Sequence, residues 1–211
     1  DACDALVELV KNDEACRAFL SWSGADPKDG TLFASGLEVV RRFKDAKQPS
    51  LQRAGATLLN TVLVSDCMKP SERVDAEKIQ CCCAYASASD PAASKRAAKT
   101  LVHMIFAVLD TGVRWTESCL TPILNLLKDA PSNARVASLA LKALSMIVKE
   151  GDRVCALLSQ VGCVKTLALL LWKREGRVVD VDDLCLVRVI TQICEVDTNR
   201  FEDAVLLGGV P

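Results

Sequence analysis

The sequence predicts an all-α chain wound as a right-handed helical solenoid. Three observations carry this: an internal repeat, a helical period that recurs along the whole chain, and a core built from small aliphatic residues. Glu150-Gly-Asp-Arg-Val-Cys-Ala-Leu-Leu-Ser-Gln-Val-Gly162 has a counterpart in Asn12-Asp-Glu-Ala-Cys-Arg-Ala-Phe-Leu-Ser-Trp-Ser-Gly24, offset by 138 residues, three times 46. The preceding segments, residues 2–10 and 140–148, also match. A period of roughly 40–47 residues with helical patterning belongs to stacked helical units. Half of the 211 residues are hydrophobic but only 4% are aromatic, so Ala, Val and Leu must fill a core of closely stacked helices.

Apolar residues at helical spacing predict helices over 1–10, 12–22, 31–44, 50–65, 72–86, 91–110, 117–129, 132–149, 152–161, 163–174, 181–196 and 199–207. Residues 24–30, 47–49, 87–91, 130–131 and 174–182 separate them with Gly, Pro, Ser and Asp, which cap helices or cannot continue them. Pro49, Pro91 and Pro131 each stand where a helix pattern begins, the position at which a missing N–H costs nothing. No strand is expected. Val178 to Val181 is the only short candidate, and a loop fits it better.

Leu58, Leu101, Leu144 and Ile190 fall on one core position, at spacings of 43, 43 and 46. Leu6 joins them after an insert around residues 25–30 is allowed for. One turn earlier stand Ala2, Ala54, Ala97, Ala140 and Leu186, where small side chains let neighbouring helices approach. The run Gly162-Cys-Val-Lys-Thr-Leu-Ala-Leu-Leu-Leu171 reopens at Gly208-Gly-Val-Pro211 and returns without its glycine at residues 118–127. With the run Ala140-Leu-Lys-Ala-Leu-Ser-Met-Ile147, this pattern resembles armadillo repeats, with HEAT repeats as an architectural neighbour. The resemblance implies one domain over residues 1–211, with repeats at 12–65, 66–110, 111–149 and 150–196 and partial repeats at 1–11 and 197–211. The 66–110 repeat departs most, because residues 65–73 leave little room for its first helix. Both chain ends break off in mid-pattern, as expected of a piece of a longer protein, and their apolar residues (Leu6, Leu9, Val10 and Val205 to Leu207) are expected either to drive self-association or to be covered by flanking sequence.

In peptide-binding armadillo proteins the third helices line a concave groove, and importin-α-like members carry Trp and Asn there, four residues apart. The Asn position maps to Glu8, Asn60, His103, Met146 and Gln192, and the Trp position to Asp4, Ala56, Lys99, Lys142 and Arg188. One Asn and no Trp remain, which argues against an importin-like reader of basic signals. Lys99, Lys142 and Arg188, with Arg96 and Arg135 nearby, are more similar to the basic groove of β-catenin-like members. The resemblance therefore implies a groove of Asn60, Arg96, Lys99, His103, Arg135, Lys142, Met146, Arg188 and Gln192 for an extended or helical, acidic protein segment. Two alternatives remain open: a client-binding chaperone resembling the UCS myosin chaperones, and a structural component of a cytoskeletal or flagellar assembly.

The remaining chemistry points away from catalysis. The chain holds one histidine, His103, and no Walker loop, G-x-G-x-x-G or H-E-x-x-H run. Cys81, Cys82 and Cys83 would diverge by about 100° per residue on a helix, so they cannot converge on one zinc and are expected to pack as small buried hydrophobes. Asp180, Asp182 and Asp183 lack the spacing of a calcium loop and read as cap residues. We expect no enzyme, no cofactor and no metal. The net charge of −1 argues against nucleic acid, and the basic run Arg41 to Lys47 lacks stacking aromatics and fits a helix end. Eleven cysteines in an odd, scattered set suggest reduced thiols and an intracellular, cytoplasmic or cytoskeletal location, and no apolar run is long enough for a membrane.

Overall fold

The computed structural model describes residues 2–9, 11, 12, 14, 15, 18, 24, 25, 32, 33, 36–64, 74–109, 111–128, 133–172 and 181–197. Its helices are α1 (Ala2–Leu9), α2 (Gly36–Lys44), α3 (Pro49–Val64), α4 (Ala76–Ala86), α5 (Pro91–Val108), α6 (Glu117–Lys128), α7 (Ala134–Ile147), α8 (Asp152–Gln160), α9 (Cys163–Trp172) and α10 (Val181–Val196). A 3-10 turn, Val148–Glu150, extends α7. The fold is all-α, built of many packed helices. One exception corrects the sequence reading: Gly24–Ala25 (β1) and Leu32–Phe33 (β2) form an antiparallel ribbon, with Gly24 opposite Phe33. Its strands stand at either side of the 25–30 insert, and the second takes the start of the helix expected over 31–44. Two residues per strand are too few to leave a period-2 signature. The helices expected over 12–22 and 199–207 lie mostly or wholly outside the described residues, as do Pro131, residues 65–73 and residues 178–180. No single described helix is long and apolar enough to cross a membrane.

The chain divides into two compact units, Asp1–Ala107 and Val108–Pro211. In the first, α1 packs on α3, α2 on α3 and on α4. Gly55 makes this possible. A Cβ there would stand 2.0 Å from Tyr85 Oη and 2.8 Å from Phe43 Cβ, so α3 meets α2 and α4 at a contact that only hydrogen fits. Tyr85 is fully buried, and its hydroxyl donates to the carbonyl of Val40, which satisfies the phenol inside the core. The sequence alignment placed the close approach one residue earlier, at Ala54, which is only half-buried.

The first unit also holds a polar junction. Asp90 caps α5: its Oδ2 accepts from the Ala93 N–H at 2.8 Å, and Pro91 follows at the first helical position. Arg53 of α3 forks onto the same carboxylate at 2.9–3.1 Å. Gln52, buried beside it, accepts from the Asp90 N–H at 2.9 Å and donates to the Ala46 carbonyl at 2.9 Å. Helix α4 starts on a similar cap, Asp75, whose side chain accepts from the Lys78 N–H at 2.9 Å.

In the second unit α6 pairs with α7, and α8, α9 and α10 pack together as a three-helix set. That set stacks on the pair, α9 against α6 and α10 against α7. Gly162, at φ +77°, closes α8 and turns the chain by 72° into α9. Gly151, at φ +107°, precedes α8. Both angles lie in the left-handed region, which glycine enters without steric cost. Ser138 donates to Asp182 at 2.9 Å, joining α7 to the first turn of α10, and Ser159 donates to Asp197 at 2.6 Å.

The aligned core positions separate three to one. Leu58, Leu101 and Leu144 are buried to 1% exposure or less, whereas Ile190 is half-buried, and Leu186, Val189, Ile193 and Cys194 are the residues of α10 that enter the core. Of the small positions, Ala97, Ala140 and Leu186 are buried. Cys81, Cys82 and Cys83 are buried as expected, Cys82 Sγ lying 3.5 Å from Met104 Sδ.

Three outcomes follow from this packing. Gly55→Ala will lower stability by at least about 1–3 kcal/mol in urea denaturation, the cost of an overpacked contact outweighing the gain of about 1 kcal/mol in helix propensity. Asp90→Ala will cost about 1–2 kcal/mol at neutral pH through the lost cap. The Arg53 guanidinium and the Ala93 N–H hold the Asp90 carboxyl below the usual carboxylate range despite the opposing pull of burial. A depressed folded-state pKa gives stability that is present above the unfolded value of about 4 and is lost as pH falls through the folded one. Denaturation at decreasing pH should therefore narrow the gap between wild type and Asp90→Ala below about pH 4. Third, burial raises the thiols of Cys82, Cys83 and Cys163 above the usual range, whereas Cys185 is half-buried. Mass-spectrometric mapping of iodoacetamide labelling should find Cys185 modified well before those three.

Candidate functional site

Helix α5 presents one face to the core and one outward. Ala93, Ala97, Leu101, Met104 and Ile105 are buried, and Arg96, Lys99, His103 and Phe106 form an exposed row at alternating steps of three and four. That spacing keeps them on one side of a helix. Phe106 is 70% exposed, an unusually open position for a large apolar ring in a core-forming helix. Lys95, half-buried, adds a further cation beside the row.

Helix α3 lies alongside. Arg96 donates to the Thr57 hydroxyl, and the Thr100 hydroxyl donates to Asn60 Oδ1 at 2.9 Å. The single Thr100 hydroxyl proton is shared between Asn60 Oδ1 and the Arg96 carbonyl, 3.0 Å away, and the Thr61 hydroxyl donates to the Thr57 carbonyl at 3.0 Å. These hydroxyls satisfy themselves along the two helices and hold Arg96 and Asn60 in place. Arg53, Thr57, Asn60 and Val64 continue the α3 side of the surface. The structure thus brings Asn60, Arg96, Lys99 and His103 together in the first unit, on two adjacent helices. Such a surface offers guanidinium and ammonium donors, an amide and an exposed ring, which suits an extended segment with carboxylates and an occasional apolar side chain.

Two departures concern register. Ala56, aligned with Lys99, is completely buried, so the row of cations does not extend to α3 at that position. Glu8 of α1 is exposed and paired with Lys11 at 2.6 Å.

In the second unit Lys142 on α7 and Arg188 on α10 are exposed, on helices packed against each other, and Arg135 is exposed in the first turn of α7. Met146, expected as an apolar contact of the surface, is instead 8% exposed and belongs to the core, since the last turn of α7 buries Ala143, Leu144, Met146 and Ile147 together. Gln192 is half-buried, with its Oε1 buried and without a hydrogen-bond partner. An unpaired buried amide oxygen of this kind costs about 1–3 kcal/mol. Leu184 and Val187, exposed on α10 beside Arg188, were not singled out from the sequence. Their signal was present as apolar residues off the core stripe, but such residues are common singly on any surface.

Other sequence candidates fall into structural roles. Arg41 donates to the Glu77 carbonyl at 3.4 Å, and Lys44 pairs with Asp45 at 3.3 Å. Asp182 and Asp183 occupy the first turn of α10. Among the described residues no group of three or more His, Cys, Asp or Glu side chains is placed to hold a metal ion. Of the apolar end residues, Leu9 is exposed and Leu6 half-buried, and Val10 and Val205 to Leu207 lie outside the described residues.

No family model and no curated protein matches the chain. Solved structures do. One crystal structure of an engineered protein is similar at 20% identity and a TM-score of 0.51, over 92% of this chain and 72% of that one. A second engineered protein is 21% identical with a TM-score of 0.55, over 99% of this chain and 47% of its own length. A third is 17% identical with a TM-score of 0.53, over 99% and 80%. At such identities the likeness concerns the fold alone.

Proposed function

We propose that this chain is an armadillo-like, right-handed α-solenoid that binds an extended, acidic protein segment on its third helices, without catalysis, cofactor, nucleic acid or membrane. In that reading α3, α5, α7 and α10 are third helices and α2, α4, α6 and α9 second helices. Packing of like on like within each unit supports it: α2 on α4, α6 on α9, and α7 on α10. A glycine turn between α8 and α9, at Gly162, falls where an armadillo unit carries one.

The observation that carries the function is the exposed row Arg96, Lys99, His103 and Phe106 beside Asn60. Packed helices stand about 8–10 Å apart, close to three residues of extended chain at about 3.3 Å each. A segment with a carboxylate at every third residue therefore meets the two adjacent helices of one unit in turn, α3 and α5 or α7 and α10. Exposed ion pairs contribute about 0–1 kcal/mol each, so the cations choose the partner and apolar contacts such as Phe106 hold it.

The test is a labelled peptide with glutamate at every third position against its glutamine counterpart, in fluorescence anisotropy at several salt concentrations. The glutamate peptide should bind more tightly, with an affinity that falls as salt rises. Lys99→Glu combined with Lys142→Glu should weaken it by roughly tenfold and leave the Tm unchanged, since both side chains are solvated. Equal binding of the two peptides, or indifference to the double substitution, would refute the acidic-segment reading.

A further inference from the structure

The cations on the α3–α5 surface are not equivalent. Arg53 is committed: its Nε and Nη2 fork onto the Asp90 carboxylate, so its charge is already matched. Lys95 is half-buried. Lys99 is exposed and has no hydrogen-bond or ion-pair partner among the described residues. Arg96 is exposed too and meets no carboxylate among the described residues, but its guanidinium is held.

The group that holds it is the Thr57 hydroxyl. This hydroxyl has one proton, and the proton goes to the Arg53 carbonyl one turn back on α3, 2.9 Å away. Toward Arg96 the same oxygen can then only accept, and it receives an N–H from Arg96 Nη1. The roles cannot be exchanged, because a carbonyl does not donate and a guanidinium does not accept. The bond ties the guanidinium to a second helix rather than to its own. Nε and Nη2 of Arg96 have no partner among the described residues, and that edge of the fork suits a carboxylate through two parallel bonds. An untethered lysine such as Lys99 is a point charge on a flexible stem, and it loses rotamer freedom when it binds. Arg96 has lost part of that freedom before a partner arrives.

Resting on the acidic-segment reading above, we infer that Arg96 is the specificity-determining cation of this surface and that Thr57 is its positioning residue. Arg96 recognises the planar, two-oxygen shape of a carboxylate, and Lys99 supplies charge alone. The two stand three residues apart on one face of α5, and each carries one positive charge. Charge attraction by itself makes their neutralisation equally damaging. A held fork makes Arg96 the greater loss.

The test uses the full chain with the labelled glutamate peptide and its glutamine counterpart, in fluorescence anisotropy. Arg96→Gln should weaken the glutamate peptide about fivefold more than Lys99→Gln does. Arg96→Lys keeps the charge and should not restore the affinity. Thr57→Val, which keeps the shape without the oxygen, should weaken the glutamate peptide several-fold, and Thr57→Ser should bind as the wild type does. Added to Arg96→Gln, Thr57→Val should have no further effect, as expected of a residue that acts through another. Thermal melts check that each variant is folded. In the free protein the heteronuclear NOE of the Arg96 Nε ¹H–¹⁵N resonance should fall in Thr57→Val. Three results would overturn the inference and leave the acidic-segment reading standing: equal losses from the two neutralisations, unchanged affinity in Thr57→Val, or a loss as large in the Arg96→Gln background. Equal binding of the two peptides by the wild type would remove that reading and this inference together.

Discussion

The first unit depends on the junction at Asp90. A single buried carboxylate ends the turn after α4, starts α5 and receives the fork of Arg53 from α3. A buried charge is tolerable only when it is paired and hydrogen-bonded, and here Arg53 and the first-turn N–H groups of α5 do both. Because Arg53 and Asp90 are both fixed to helix termini or turns, the contact sets how far α5 slides along α3. The lateral pairs that follow, Thr57 with Arg96 and Asn60 with Thr100, keep spacings of 39 and 40 residues, close to the 37 of Arg53 with Asp90. The outward row of cations is thus held by a polar contact at one end of the helix pair.

Packing density does the corresponding work inside. Aliphatic residues can be exchanged among core positions at modest cost as long as volume is kept. Gly55 cannot, because the Tyr85 ring and the Phe43 side chain occupy the space a Cβ would need. Tyr85 in turn reaches the α2 backbone through its hydroxyl. Three helices are located by one missing side chain and one phenol. In the second unit the equivalent constraint is conformational: Gly151 and Gly162 permit the two sharp turns that let α8, α9 and α10 close on one another.

The surfaces left over are polar in an unequal way. Core-facing positions are aliphatic or thiol, and the buried thiols are held protonated by desolvation, so they act as packing groups. Unspent donor capacity collects at exposed arginines and lysines. Recognition by such groups calls for acceptors, and carboxylates are the acceptors a protein partner supplies in charged form.

Helix existence and type were legible from residue order, because a 3.6-residue apolar period and Pro, Gly, Asp and Asn at the breaks are local properties. All described helices but two lie within two residues of their expected limits, α2 beginning five residues later and α4 four, and Leu58, Leu101 and Leu144 are buried as their spacing implies. The candidate surface was legible in part: Arg96, Lys99 and His103 share a face because their spacing is helical, and that is true of any helix carrying them. Which neighbour each residue meets is not local. The contact at Gly55 rather than Ala54, the burial of Met146 and Ala56 and the half-exposure of Ile190 follow from how one helix rotates against the next. A rotation of a few tens of degrees exchanges a buried position for an exposed one without altering the period.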